Sequence, residues 1–182
     1  MTFLGMSIII LVILLPLTAA RQGVSAQRGA SGVLIYEDPS YDFSLHYPSN
    51  WAKVNFTGSE NIVAFVPLQE KSLSQLTIVV QNLSSQNKSL YAYVAEQIKY
   101  LDYHLLDFNL VKSGVTTIAG YPSYKTVYTF KMQYLLDEYK SIEIWMIEGN
   151  KLYIIKYSSD QERYRDQIVT VGDIINSFRI LR

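Results

Sequence analysis

The sequence predicts an α+β domain, a mainly antiparallel sheet with a helix packed on each face. Three observations carry this. Apolar and polar residues alternate with period two over most of the chain, the strand signal. Two segments carry helical period instead, one in the middle and one at the end. Gly149-Asn150 sits between two apolar runs, where a tight hairpin is expected. The order is strands, helix, strands, helix, which makes segregated layers rather than a parallel βαβ sheet.

The elements follow in chain order. Residues 3–20 are almost purely apolar, Pro16 breaks the run, and Val24-Ser25-Ala26 offers the small-residue pattern a signal peptidase needs. Residues 1–26 are thus read as a signal segment or, uncleaved, as an N-terminal anchor; a run of this length is at the lower limit for spanning a bilayer. Residues 27–35 are read as a tether, and 36–182 as the domain. Tyr41 to Tyr47 alternates Phe43, Leu45 and Tyr47 against Ser44 and His46. Strands are expected at Ile62 to Pro67, Leu76 to Leu83, Val111 to Ile118, Tyr121 to Met132, Ser141 to Ile147 and Leu152 to Tyr157.

Leu90, Val94, Ile98, Leu101 and Leu105 share one face of the first helix, with Ser85 or Asn87 as its cap. Tyr164, Ile168, Val171, Ile175 and Phe178 form the apolar stripe of the second, and Ser159 with Glu162 has the spacing of a capping box. Gly172 inside that helix is expected to permit close packing on the sheet.

Composition narrows the function. The chain has 182 residues, with 16 basic and 16 acidic. Only Arg21 is charged within residues 1–26, which leaves 15 basic against 16 acidic residues in the rest. A near-neutral domain without a basic cluster lacks the means to displace nucleic-acid counterions. Cysteine is absent, so disulfides, thiolate nucleophiles and Cys-based metal sites are excluded. No Gly-rich phosphate loop or EF-hand pattern occurs. His46 and His104 are far apart and match no metal motif. The adjacent acids Glu37-Asp38 and Asp137-Glu138 are expected to solvate turns. No cofactor is expected.

Two sets of residues point to surfaces instead. Asn55, Asn82 and Asn87 each open an Asn-x-Ser/Thr triplet, a glycosylation acceptor in an exported chain. The core face of the first helix centres on Val94 and Leu101, and Tyr93, Tyr100 and Tyr103 fall together on another side. Tyrosine is enriched at interfaces because its ring buries area while its hydroxyl stays polar, so these residues form a candidate docking surface.

Three stretches carry a family resemblance. Tyr41-Asp42-Phe43-Ser44-Leu45-His46-Tyr47-Pro48-Ser49-Asn50-Trp51 resembles the opening of PsbP-like domains. Ile118-Ala119-Gly120-Tyr121-Pro122-Ser123 is similar to their mid-domain turn, and Tyr153 to Tyr157 with Ile174 to Phe178 to their closing strand and helix. The resemblance implies an α-β-α sandwich around an antiparallel sheet, the fold of the extrinsic subunit of the photosystem II oxygen-evolving complex. The leader places this chain beside exported prokaryotic relatives, many of them archaeal.

The resulting expectation is a non-enzymatic, extracytoplasmic binding or assembly module, secreted or membrane-anchored. Its partner would be a membrane or extracytoplasmic protein, or the membrane surface itself through an uncleaved leader. The alternatives are a calcium- or manganese-carrying or other ligand-carrying domain, and an extrinsic photosystem-type subunit.

Overall fold

The computed structural model describes residues 32–57, 59–68, 73–83, 88–132 and 135–181. The leader, most of the tether and Asn87 therefore lie outside the described residues. Two sheets and two helices make up the described part of the domain. A three-stranded sheet joins β1 (Val33–Asp38), β2 (Phe43–Pro48) and β10 (Arg179–Ile180), in the order β1-β2-β10. The larger sheet has seven antiparallel strands: β3 (Trp51–Asn55), β4 (Asn61–Pro67), β5 (Gln75–Asn82), β6 (Leu106–Ile118), β7 (Tyr121–Met132), β8 (Leu135–Glu148) and β9 (Lys151–Asp160). Their order across the sheet is β3-β4-β5-β9-β8-β7-β6. Helix α1 (Leu90–His104) covers one face and α2 (Gln161–Ser177) the other, as the sequence predicts.

Strand alternation divides β8 between the two faces. Ile142, Ile144 and Met146 join the core under α2, with Val171, Ile174, Ile175 and Phe178 of that helix. Trp145 faces α1, beside Val79, Val94, Leu152 and Ile154. Two hairpins set the registers. At Gly149-Asn150, Glu148 pairs with Lys151, and Gly149 takes φ +58° at the first central position. At Ala119-Gly120, Ile118 pairs with Tyr121 and both central residues have positive φ, 52° and 86°. That is the backbone of a type I′ turn, whose twist suits a hairpin.

Several boundaries differ from the sequence expectation. Val33–Ile35, read as tether, already belongs to β1. The α1 cap is Ser89, whose side chain accepts from the Ala92 N–H at 3.2 Å, rather than Ser85 or Asn87. The α2 cap is Asp160 rather than Ser159; it accepts from the Arg163 N–H at 3.1 Å and also holds the Arg163 guanidinium at 3.0 Å. A carboxylate is the stronger acceptor and suits the positive helix end. Asp137-Glu138 lies within β8, not in a turn. A Cβ added to Gly172 would meet nothing within 4 Å, so this glycine serves no close approach.

Candidate functional site

The family-like stretches hold the fold together. Phe43 of β2 stacks on Phe178 at 5.6 Å, and Phe178 meets Tyr153 edge-on at 6.0 Å. Ser177 ties the end of α2 to β2: its Oγ accepts from the His46 N–H at 2.8 Å and donates to the Ile174 carbonyl at 2.7 Å. His46 thus approaches a serine only through its backbone, while its imidazole is exposed. That is not the base–hydroxyl contact a nucleophile needs. Asp38 is used structurally too, accepting from the Tyr36 hydroxyl at 2.9 Å and the Ser40 N–H at 3.1 Å. Glu138 accepts from the Gln161 side chain. Among the described residues, no group of three or more His, Cys, Asp or Glu is placed to hold a metal ion.

The expected tyrosine surface is only partly assembled. Tyr93 is buried against Val79, Val94 and Trp145, with the Lys88 ammonium 4.6 Å from its ring centroid, so it belongs to the core and not to a docking face. The reason is that the flank of α1 beside Val94 packs in the same apolar cluster as Trp145 of β8, so the ring of Tyr93 is covered. Tyr100 is half-buried, and Tyr103 is 84% exposed. These two close on His104. Its ring stacks on Tyr100 at 3.9 Å and meets Tyr103 edge-on at 4.9 Å, and its Nδ1 lies 2.8 Å from the Tyr100 carbonyl oxygen. Leu106 follows, also exposed. The exposed aromatic group therefore comprises Tyr100, Tyr103 and His104 at the C-terminal end of α1. Sequence reasoning included its two tyrosines and treated His104 apart; the i, i+4 spacing of Tyr100 and His104 is the signal that joins them.

Of the glycosylation candidates, Asn55 is exposed at the end of β3 and Asn82 at the end of β5.

A second constellation lies beneath α1, and sequence reasoning missed it. Glu143 is 1% exposed, and its Oε1 lies 3.2 Å from the ammonium of Lys156, its cross-strand partner. The carboxylate also accepts from the Tyr128 hydroxyl at 2.7 Å and the Trp145 indole N–H at 3.2 Å. Burial first, then the Glu143 charge, pushes the Tyr128 hydroxyl well above its ordinary range. Thr126, Glu143, Lys156 and Thr77 form one row across four strands. Gln97 lies on α1 between Val94, which packs in one apolar cluster, and Leu101, which packs in another. This row thus separates the apolar core under α1 into two parts. Gln97 is 2% exposed, and both its amide atoms and the Thr126 hydroxyl lack hydrogen-bond partners among the described residues.

The PsbP family model matches residues 31–180. The chain belongs to the PsbP family. Among solved structures it is similar to CyanoP, the cyanobacterial PsbP of Synechocystis sp. PCC 6803. That match has a TM-score of 0.66 at 15% identity, over 88% of this chain and 99% of CyanoP. It is also similar to LpqN of Mycobacterium tuberculosis, described as involved in cell envelope biogenesis, with a TM-score of 0.59 at 9% identity over 85% of this chain and 87% of LpqN. A third match is PA94 of Pseudomonas aeruginosa, a protein of unknown function, with a TM-score of 0.53 at 13% identity over 80% of this chain and 94% of PA94. At these identities the likeness is one of fold, which does not carry function with it. No curated protein matches the chain by sequence. Among the described residues, no helix is long and apolar enough to cross a membrane.

Proposed function

We propose that this PsbP-family chain is a non-enzymatic binding or assembly module of the extracytoplasmic space, held at the membrane by its N-terminal segment. The partner is a membrane or extracytoplasmic protein, and the exposed Tyr100–Tyr103–His104 group is its contact. That group is the observation that carries the reading. Three rings are held in fixed geometry, one of them left almost wholly in water, at the end of a helix whose apolar face is committed to the core. Rigid aromatic side chains bury large areas at low entropic cost and are frequent anchors of protein interfaces. The apolar leader supports export, and left uncleaved it is at the lower limit of length for an anchor. An envelope role described for LpqN, which shares the fold, is in keeping with it.

The test is recovery of partners from solubilised membranes by the tagged chain, compared with a Tyr100→Ser/Tyr103→Ser variant. The variant is expected to melt close to the parent and to lose the specific partners. Equal recovery by both overturns the assigned contact. Finding the intact chain in the cytosol overturns the assigned location.

A further inference from the structure

The described chain begins at one end of the small sheet, and that end is unusual in composition. Val33 is 67% exposed, and Leu34 and Ile35 of the same strand are exposed as well. Val33 pairs with Pro48, Leu34 with Tyr47 and Ile35 with His46. The next turn, Ser49-Asn50, is tied to two neighbours. The Ser49 N–H donates to the Gly32 carbonyl at 2.8 Å, and the Leu68 N–H donates to the Asn50 carbonyl at 2.9 Å. Leu68, 62% exposed, is thereby brought to the same end as Val33. Among the described residues 32–35, 47–52 and 67–68 none is charged. Among the described residues, charge reappears farther along the sheet, at Glu37, Lys53 and Arg179; in the sequence, Arg28 precedes Gly32 by four residues and Glu70-Lys71 follows Leu68.

Singly exposed apolar residues are ordinary. Four of them around one uncharged turn, two of them on one side of β1 and one on the other, are a patch that asks for a covering. The chain itself indicates what covers it. Residues 21–31 join Gly32 to the apolar run at 3–20, and eleven residues span at most about 35–40 Å when extended. The uncharged end is therefore the part of the domain from which the chain departs toward its apolar leader. We infer that this end rests on the lipid bilayer, with Val33, Leu34, Ile35 and Leu68 entering the boundary between headgroups and acyl chains and the half-buried Tyr47 at headgroup level. The absence of charge among these described residues keeps their desolvation cost low, and tyrosine favours such an interface because one end of it is apolar and the other polar. This rests on the proposed membrane placement and names the surface that makes the contact.

The absence of cysteine allows a direct test with the full chain. Single cysteines are introduced as V33C, L68C and, on the exposed face of α2, V169C, and each is labelled with an environment-sensitive nitrobenzoxadiazole dye. The full chain is reconstituted with phosphatidylcholine vesicles, and sedimentation with the vesicles is measured alongside emission and iodide quenching. The expected result is sedimentation of all three proteins, with a blue shift and loss of iodide quenching at positions 33 and 68 and water-like behaviour at 169. Sedimentation with all three positions water-like overturns the surface assignment and leaves the anchor standing. Failure to sediment overturns both. A blue shift at 33 and 68 without vesicles, rising with protein concentration, makes a second copy the occupant and also overturns the assignment.

Discussion

The buried pair beneath α1 permits a quantitative test of how this core is held. Glu143 has three partners, the Lys156 ammonium, the Tyr128 hydroxyl and the Trp145 indole. The ammonium of Lys156, among the described residues, has only Glu143 at salt-bridge distance. Removing one member of a buried pair leaves an uncompensated charge, at a cost of about 3–5 kcal/mol. The two single changes are not equivalent. Lys156→Met leaves a carboxylate that keeps two hydrogen-bond donors, Tyr128 and Trp145, so about 3 kcal/mol is expected. Glu143→Gln leaves an ammonium with no counterion under a covering helix, so about 4 kcal/mol is expected. The double variant buries no charge, and the amide introduced at position 143 can still accept from one of the two neutral donors. Its cost should be that of one imperfectly replaced hydrogen bond, about 1–2 kcal/mol. The double variant is thus more stable than either single one. Urea unfolding followed by tryptophan fluorescence measures all four proteins, because Trp145 lies in the affected cluster. A double variant as unstable as the sum of the two singles would refute the reasoning, since the charges would then be acting independently.

Three further outcomes follow from the backbone and the tyrosines. Gly172→Ala should stabilise the chain by about 0.8–1 kcal/mol, because the glycine sits inside α2 with open space where a Cβ would lie; a lower melting temperature would contradict this. Ala119→Gly should stabilise by about 1 kcal/mol, because Ala119 occupies the left-handed region at φ 52°, and a loss of stability in the same melt would contradict it. Burial pushes the Tyr153 and Tyr164 hydroxyls from the usual 10.0 up to about 12. An unfolded chain therefore releases these protons first, so their contribution is intact below pH 10.0 and is lost as pH rises toward about 12. Phenolate absorbance should show a late, unfolding-linked group of tyrosines; uniform reversible titration near 10.0 in the folded chain would count against their burial.

The parts of the fold that were legible are those where one physical signal dominates. Alternation in β7, the stripe of α2 and the Gly149-Asn150 hairpin each reflect a single constraint, and each stands where expected. The missed strands lack such a signal. In β1, Val33, Leu34 and Ile35 are all exposed, so nothing enforces alternation. In β6, the sequence predicts only Val111 to Ile118; its first part is missed because register shifts between Leu106 and Asn109 and between Leu110 and Lys112 break the period there. The buried pair was hidden differently. Glu143 alternates with Ile142, Ile144 and Met146, so it reads as solvent-facing, yet α1 covers that face. The information was nevertheless present: the hairpin that pairs Glu148 with Lys151 also places Glu143 opposite Lys156, an opposite-charge cross-strand pair flanked by Trp145 and Ile154. Only burial was missing, and burial is a property of the helix that arrives from elsewhere in the chain.

Apart from Tyr47 and the Ser49-Asn50 turn, the family-like stretches and the candidate surfaces occupy different parts of the molecule, and this bears on what family membership can convey. Phe43, Leu45 and Trp51 fill the core under α2; Ala119 and Gly120 take the positive φ that the β6–β7 hairpin demands; Ser177 and Phe178 fasten the last helix to β2. Each is fixed by the needs of packing or turn geometry, which are the same whatever the domain binds. The residues assigned to contact, by contrast, lie at the end of α1 and at the outer end of β1, where, apart from the half-buried Tyr47 and Tyr100, packing imposes little on their identity. Tyr103, 84% exposed, could be serine without cost to the core. A chain can therefore keep the fold-bearing elements of a PsbP domain while presenting a different surface, and the TM-score of 0.66 at 15% identity to CyanoP is a likeness of fold. The function of this member is accordingly to be sought in the side chains its fold leaves free, and the aromatic end of α1 and the uncharged end of β1 are where those side chains are most costly to leave in water.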